Sequence, residues 1–286
     1  MTRAAILVPA HDEAPVIGRT LWYLSRGLPL DQFRVIVIAN GCTDATAARA
    51  RATLPMAEVI ETDRPGKCHA LNLGYQAAGP DVPVVCMDAD LDVTAEAVAE
   101  LVAAVMTPGR LAACGQMDVA TTNAAPTVRL FYKGWRTNPY FARGKFGGLF
   151  ALSPEGAARV FPLPAITADD EYVRRSFTQS ETAFVGECRF VARSPATLAS
   201  LLKVRRRSLR GAREITKLGK ANPERGSLPR MLGRAMTSPA DAMPIGFFLL
   251  VMSWVRIGLA FERSGSELRC CLLYTSDAAD ESSRGG

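Results

Sequence analysis

Between residues 4 and 119 the chain alternates short apolar runs with amphipathic stretches, and this alternation constrains the fold more tightly than any single motif. Residues 4–8, 33–39, 57–62, 82–87 and 111–119 are apolar runs of strand length. Between them Ile17, Leu21 and Leu24 fall on one helical stripe, and Val98, Leu101, Val102 and Val105 on another. Strand followed by helix at this spacing predicts an α/β fold with a largely parallel sheet covered on both faces. Pro9 is expected to end the first strand, and Thr43 or Asp44 to cap the helix after the Asn40-Gly41 turn. Ligands in such sheets bind beyond the carboxyl ends of the strands, where residues 9–13, 40–44 and 88–92 fall.

The fourth run leads into Asp88, Asp90 and Asp92 on alternate positions. In extended chain alternate side chains share a face, so Asp88 and Asp90 project together where a buried strand reaches the sheet edge. Bare carboxylates placed so repel one another, and a hard divalent ion that also touches phosphate relieves the repulsion. A solvated loop leading to a helix that starts near Thr94 explains the same residues.

Beyond residue 119 the alternation stops. Residues 127–140 predict an aromatic-rich helix, and residues 145–152 a glycine-kinked strand running into a Ser153-Pro154 helix start. Residues 162–175 place Asp169 and Asp170 at the start of a further helix, where acids also serve as dipole partners. Residues 245–261 are 17 residues, apolar except for Ser253 and Arg256. That is just short of the ~20 residues that span a bilayer. A helix packed on the protein is the other reading.

Net charge is +6, yet residues 203–234 hold eleven Lys or Arg against Glu214 and Glu224, a local +9 that leaves −3 for everything else. That segment has no aromatic residue, which argues against nucleic acid and for phosphate or an anionic membrane as its partner. The seven cysteines form no CxxC pair, and only His11 and His69 are present, so a zinc site or a histidine-based triad is not expected. Cytoplasmic placement follows as the expectation, peripheral to the membrane through residues 203–261. GxGxxG and GxxxxGK[ST] are both absent.

The order of motifs resembles the family 2 glycosyltransferases of GT-A fold. The resemblance rests on Val8-Pro9-Ala10 with Glu13, the turn at residues 40–44, Pro65-Gly66-Lys67, the Asp88-Ala89-Asp90 signature, Gly147-Gly148 and the acidic pair. It implies inverting transfer of a sugar from a nucleotide-diphosphate donor to a hydroxyl acceptor, lipid-linked or otherwise, with Mn²⁺ or Mg²⁺. Carried onto this chain, Pro9, Ala10, Glu13 and Asn40 would hold the nucleoside, and Lys67 the diphosphate. Asp88 would serve the ribose or the metal, and Asp90 the metal. Gly147 and Gly148 would admit the donor sugar, and Arg207, within a basic run at residues 203–210, would grip the diphosphate. One of Asp169 and Asp170 would be the general base. Matching by the downstream arginine favours Asp169, matching by the acid pair favours Asp170, and the latter is preferred. Ala39-Asn40 stands where the family often carries paired aspartates, and no QxxRW motif follows the acidic pair, so a single transfer is expected rather than polymerisation.

The expected layout is a catalytic domain over residues 1–210, with a donor half to 119 and an acceptor half from 120. A helical segment follows over 211–269, and then a tail at 270–286 to which no fold is assigned. The rivals are a sugar nucleotidyltransferase on a related sheet and a non-catalytic sugar-nucleotide-binding relative.

Overall fold

The computed structural model describes residues 4–26, 32–139, 146–220 and 227–261. The first half runs β1 (Ala4–Ala10), α1 (Ile17–Leu24), β2 (Phe33–Asn40), α2 (Thr46–Thr53), β3 (Glu58–Thr62), α3 (Lys67–Ala78), β4 (Val84–Met87), α4 (Ala95–Val105) and β5 (Ala112–Ala120). Then come α5 (Pro126–Trp135), β6 (Leu149–Leu152), α6 (Pro154–Val160), α7 (Asp169–Arg174) and β7 (Thr182–Arg193). Three helices close the described chain: α8 (Leu198–Lys217), α9 (Ser227–Thr237) and α10 (Pro239–Phe261).

The sheet order is β3-β2-β1-β4-β6-β5-β7. Strands β3, β2, β1 and β4 are parallel neighbours, whereas β6 runs antiparallel to both β4 and β5. The side-chain period of two divides the core between the two faces. Ile6, Val8, Val35, Val37, Val85 and Met87 face α1 and α4, while Leu7, Ile36, Ile38, Val84 and Cys86 face α3 and α6. The expected stripes on α1 and α4 are buried as read.

Several local expectations are corrected. Strand β1 continues through Pro9 to Ala10, because β4 flanks it only at Ala5–Leu7 and past that point one edge no longer calls for an N–H. Ala45, not Thr43 or Asp44, is the N-cap of α2; Asp44 instead accepts the Thr46 N–H at 2.9 Å. The regular strand over 145–152 shrinks to Leu149–Leu152, with Gly147 and Gly148 at positive φ just before it; Lys145 lies outside the described residues. The helix over 127–140 spans Pro126–Trp135, and Tyr140 also lies outside the described residues. Strand β7, twelve residues long, was not foreseen: only Cys188 and Phe190 are buried in it, so its hydrophobic signal is short.

The described chain forms two compact units. One takes the residues up to 118 and from 146 to 192; the other takes 119–139 with 193–220 and 227–261. Helix α8 runs without a break through residue 210, and residues 270–286 lie outside the described residues.

Candidate active site

The site is built where β1, β2 and β4 end. Asn40, at the end of β2 and 1% exposed, turns its side chain inward: Nδ2 donates to the Ala10 carbonyl at 2.8 Å, and Oδ1 accepts the Gly66 N–H at 2.9 Å. One amide thus ties the ends of two strands to the start of α3, and it is spent on that task. His11 Nδ1 lies 2.6 Å from the Asn40 carbonyl. Pro9 and Ala10 complete the floor as buried strand residues.

On the rim, Asp12 sits at φ 52° and accepts the Thr43 N–H at 2.7 Å, while Asp44 accepts the Ala14 N–H at 3.0 Å. Potential ligand atoms of Asp12, Cys42 and Asp44 come within 4.8 Å of one another. Sequence reasoning missed this grouping. The signal was available, since parallel β1 and β2 must bring residues just past their ends together.

Lys67 opens α3 and is the hub of the site. Its Nζ stands 2.6 Å from Asp88 Oδ1 and 3.0 Å from Asp169 Oδ2, the second contact being an ion pair rather than an aimed hydrogen bond. Asp169 lies about a hundred positions downstream, and α3 also explains why it arrives there. Asn72 exchanges two hydrogen bonds with the Leu163 backbone, at 2.9 and 2.7 Å, and the Cys68 thiol reaches the Ile166 carbonyl at 3.4 Å. Val173 and Phe177 then anchor α7 in the core.

Of the acidic pair, only Asp169 meets Lys67. It is 3% exposed, while Asp170 is half-buried with Oδ1 accepting the N–H of Glu171 at 2.8 Å. Glu171 is taken by Arg174 and Arg175, each at 2.7 Å. Asp92, third of the alternate acids, is held by Arg19 of α1 at 2.9 Å. Gly148, at φ 87°, accepts the Asp88 N–H at 2.8 Å, and a Cβ there would run into the Asp88 carboxylate. Its neighbour Gly147 is at φ 46°. Arg207 is exposed on α8 in the second unit.

The electrostatics are those of crowded anions. Burial, then Asp90 and Asp88, raise the Glu13 pKa to about 8, and its Oε2 is buried with no hydrogen-bond partner among the described residues. Asp90 is raised to about 6 by the protein packed around it and then by Asp88; its side chain still meets solvent, so the carboxylate repulsion is the cause that persists. Burial raises Asp169 to about 6 against the opposing pull of Lys67. Hard oxygen donors with surplus negative charge are the donor set a divalent Mg²⁺ or Mn²⁺ takes.

The model of the family described as Glycosyl transferase family 2 matches residues 5–157, over half the chain and every residue of the cluster except Asp169. Among solved structures, a mannosyltransferase from Pyrobaculum calidifontis in complex with GDP-Man and Mn²⁺ is 21% identical, with a TM-score of 0.58 over 91% of this chain and 79% of that one. Glucosyl-3-phosphoglycerate synthase from Mycobacterium tuberculosis, in complex with phosphoglyceric acid, is 21% identical with a TM-score of 0.56 over 77% of this chain and 82% of that one. A complex of that enzyme with Mn²⁺, UDP-Glc and glycerol 3-phosphate is 23% identical, with a TM-score of 0.50 over 70% and 75% of the two chains. At these identities the likeness is one of fold. A search of curated proteins found no match. With the matched segment covering the ends of β1, β2 and β4 and six of the seven strands of the sheet, the chain belongs to glycosyl transferase family 2 and is a glycosyltransferase of GT-A fold.

Proposed function

We propose that the protein moves a sugar from a nucleotide-diphosphate donor to a hydroxyl acceptor with inversion at the anomeric carbon, using Mn²⁺ or Mg²⁺. The observation that carries this reading is the Lys67 ammonium set between Asp88 at a strand end and Asp169 on α7. One cation therefore adjoins both the carboxylates suited to the donor's metal and a buried carboxylate suited to take a proton. The similar mannosyltransferase and glucosyl-3-phosphoglycerate synthase, in complexes with GDP-Man or UDP-Glc and with Mn²⁺, support the same assignment.

The residues present fit a divalent ion. Asp90 and Asp88 would hold it, since their mutual repulsion and the raised pKa of Asp90 mark a place where positive charge is wanted. When bound, the ion stabilises negative charge on the departing diphosphate. Everything else falls to the chain. Pro9, Ala10 and Glu13 line the nucleoside side; Asn40 fixes the loops around it from within. Gly147 and Gly148 leave room for the donor sugar beside Asp88, and Lys67 neutralises phosphate oxygens.

Asp169 is favoured as the base over Asp170 because it faces Lys67 and Asp88 whereas Asp170 is spent on its own helix start. The acceptor oxygen attacks the anomeric carbon from the face opposite the diphosphate, the bond to the diphosphate oxygen breaks, and the acceptor proton passes to Asp169. A carboxyl with a pKa near 6 is ionised at neutral pH yet basic enough to serve.

The acceptor is a hydroxyl of a lipid-linked or other glycan or small molecule, and the enzyme works in the cytoplasm with residues 203–261 against the membrane. A thermal-shift screen of nucleoside diphosphates and their sugars with Mn²⁺, followed by donor turnover with the product's anomeric configuration read by NMR, tests the chemistry. Inverted product is expected. Pyrophosphate formed from a nucleotide triphosphate and a sugar phosphate would favour the nucleotidyltransferase, and donor binding without turnover the non-catalytic relative.

A further inference from the structure

Helix α10 is apolar apart from Asp241, Ser253 and Arg256, and among the described residues one side of it is covered and the other exposed. Its Pro239–Ala260 stretch of 22 residues, whose most apolar 18 residues have a mean hydropathy of 1.7, is long and apolar enough to cross a bilayer, yet a third of those 18 residues is buried within the protein. The buried side carries Ile245, Phe248, Val251, Val255 and Leu259. It is engaged along its length: Phe248 packs 5.2 Å from Phe131 of α5, the Pro244 carbonyl sits where Gly134 has no Cβ, and Arg213 of α8 reaches the Leu259 carbonyl at 3.4 Å. Met243, Leu250, Trp254 and Ile257 fall at helical spacing on the opposite side and are 68, 66, 63 and 55% exposed. Helix α9 adds a second exposed stripe, Leu228, Leu232 and Met236. Seven exposed large apolar side chains on two neighbouring helices are many for a surface that faces water.

We infer that this outward face of α9 and α10 lies in the plane of an anionic lipid bilayer, with Trp254 and its apolar neighbours as the inserted residues, and that α10 does not span. This deepens the membrane contact named above and rests on it. Two observations select this occupant. First, the unit is cationic: exposed Lys203, Arg207, Arg210, Arg213, Lys217, Arg230, Arg234 and Arg256 stand against half-buried Glu214 and Asp241, which suits anionic headgroups. Second, to cross a bilayer α10 would have to leave α5 and α8, uncovering Phe131 and the Arg213 contact and carrying Arg256 into hydrocarbon. A helix with one face on its own unit and the other apolar and flanked by Arg suits the interface, where Trp is enriched.

The experiment uses the purified full chain with vesicles of phosphatidylcholine alone or mixed with phosphatidylglycerol. Cosedimentation is compared among wild type, Leu250→Glu/Trp254→Glu and the control Met56→Glu, a change at an exposed residue of the other unit. Thermal melting checks the fold of each. Wild type and control are expected to bind the anionic vesicles, to release with added salt and to resist neutral vesicles. The double variant should melt normally and lose about tenfold or more of its affinity. Should the double variant fail to fold, Trp254→Ser alone is read in the same way. Binding to vesicles that the α10 variants leave unchanged would overturn this face while sparing membrane contact; no binding by wild type would overturn both. Wild type that only detergent removes from vesicles would mean spanning. A dimer in solution that Trp254→Glu dissociates, without vesicle binding, would give the face to a second copy.

Discussion

Asp169 and Asp170 are neighbours in sequence with opposite fates, and the difference is testable one residue at a time. Asp169→Asn should lower turnover by about 10²–10⁴-fold with donor affinity nearly unchanged, whereas Asp170→Asn should cost less than about tenfold. Equal losses at saturating donor and acceptor would remove the distinction. Asp90→Asn should abolish Mn²⁺-dependent donor binding in calorimetry without lowering the melting temperature, since this side chain is exposed at a strand end and its charge is repelled by Asp88. Glu13 gives the pH prediction. Its pKa is raised from 4.5 to about 8, so the native state holds a proton that the unfolded chain has released across that window. The stability this contributes is complete below about pH 4.5 and is lost as pH rises through 8. Asp90 and Asp169, each raised to about 6, act in the same direction. Metal-free protein should therefore melt at progressively lower temperature from pH 4.5 to 8, and Glu13→Gln should flatten that slope. An unchanged slope in the variant would place the titration elsewhere.

Among the elements, the turn before β6 is the most demanding. Gly148 combines a φ of 87° with a Cβ position already taken by the Asp88 carboxylate, so Gly148→Ala meets backbone strain and a clash together. A loss of about 1–3 kcal/mol in urea unfolding is expected, accompanied by weaker donor binding as Asp88 is displaced. Wild-type values for both would mean that the turn relaxes freely. Helix α3 shows how much one element can organise: Lys67 charges the site while Cys68 and Asn72 fix the approach to α7. The apolar periodicity of α1 and α4 was legible because each buries a stripe against the sheet. Strand β7 was not, since a strand with few buried side chains leaves little alternation to read.

For the molecule as a whole, α10 decides which parts of the chain stand or fall together. Ending the chain at residue 238 removes the cover from buried Phe131 and from the backbone at Gly134 on α5. The shortened protein should aggregate, as followed by light scattering and exclusion chromatography. A soluble monomer melting at the wild-type temperature would show that the inner face of α10 is dispensable. The residue order alone determined the alternating sheet, the strand-end acids, the cluster from Pro9 to Asp90 and the family, because strand spacing and loop motifs are local and their sequence order survives folding. Only the tertiary structure decided that Asn40 points inward, that Asp169 rather than Asp170 joins Lys67 and Asp88, that Asp12 and Asp44 gather round Cys42, and which side of α10 is left bare. Each of these depends on where elements far apart in sequence come to lie against one another, and a helix with apolar residues on both sides or a pair of adjacent acids carries no local mark of which side its neighbours will cover.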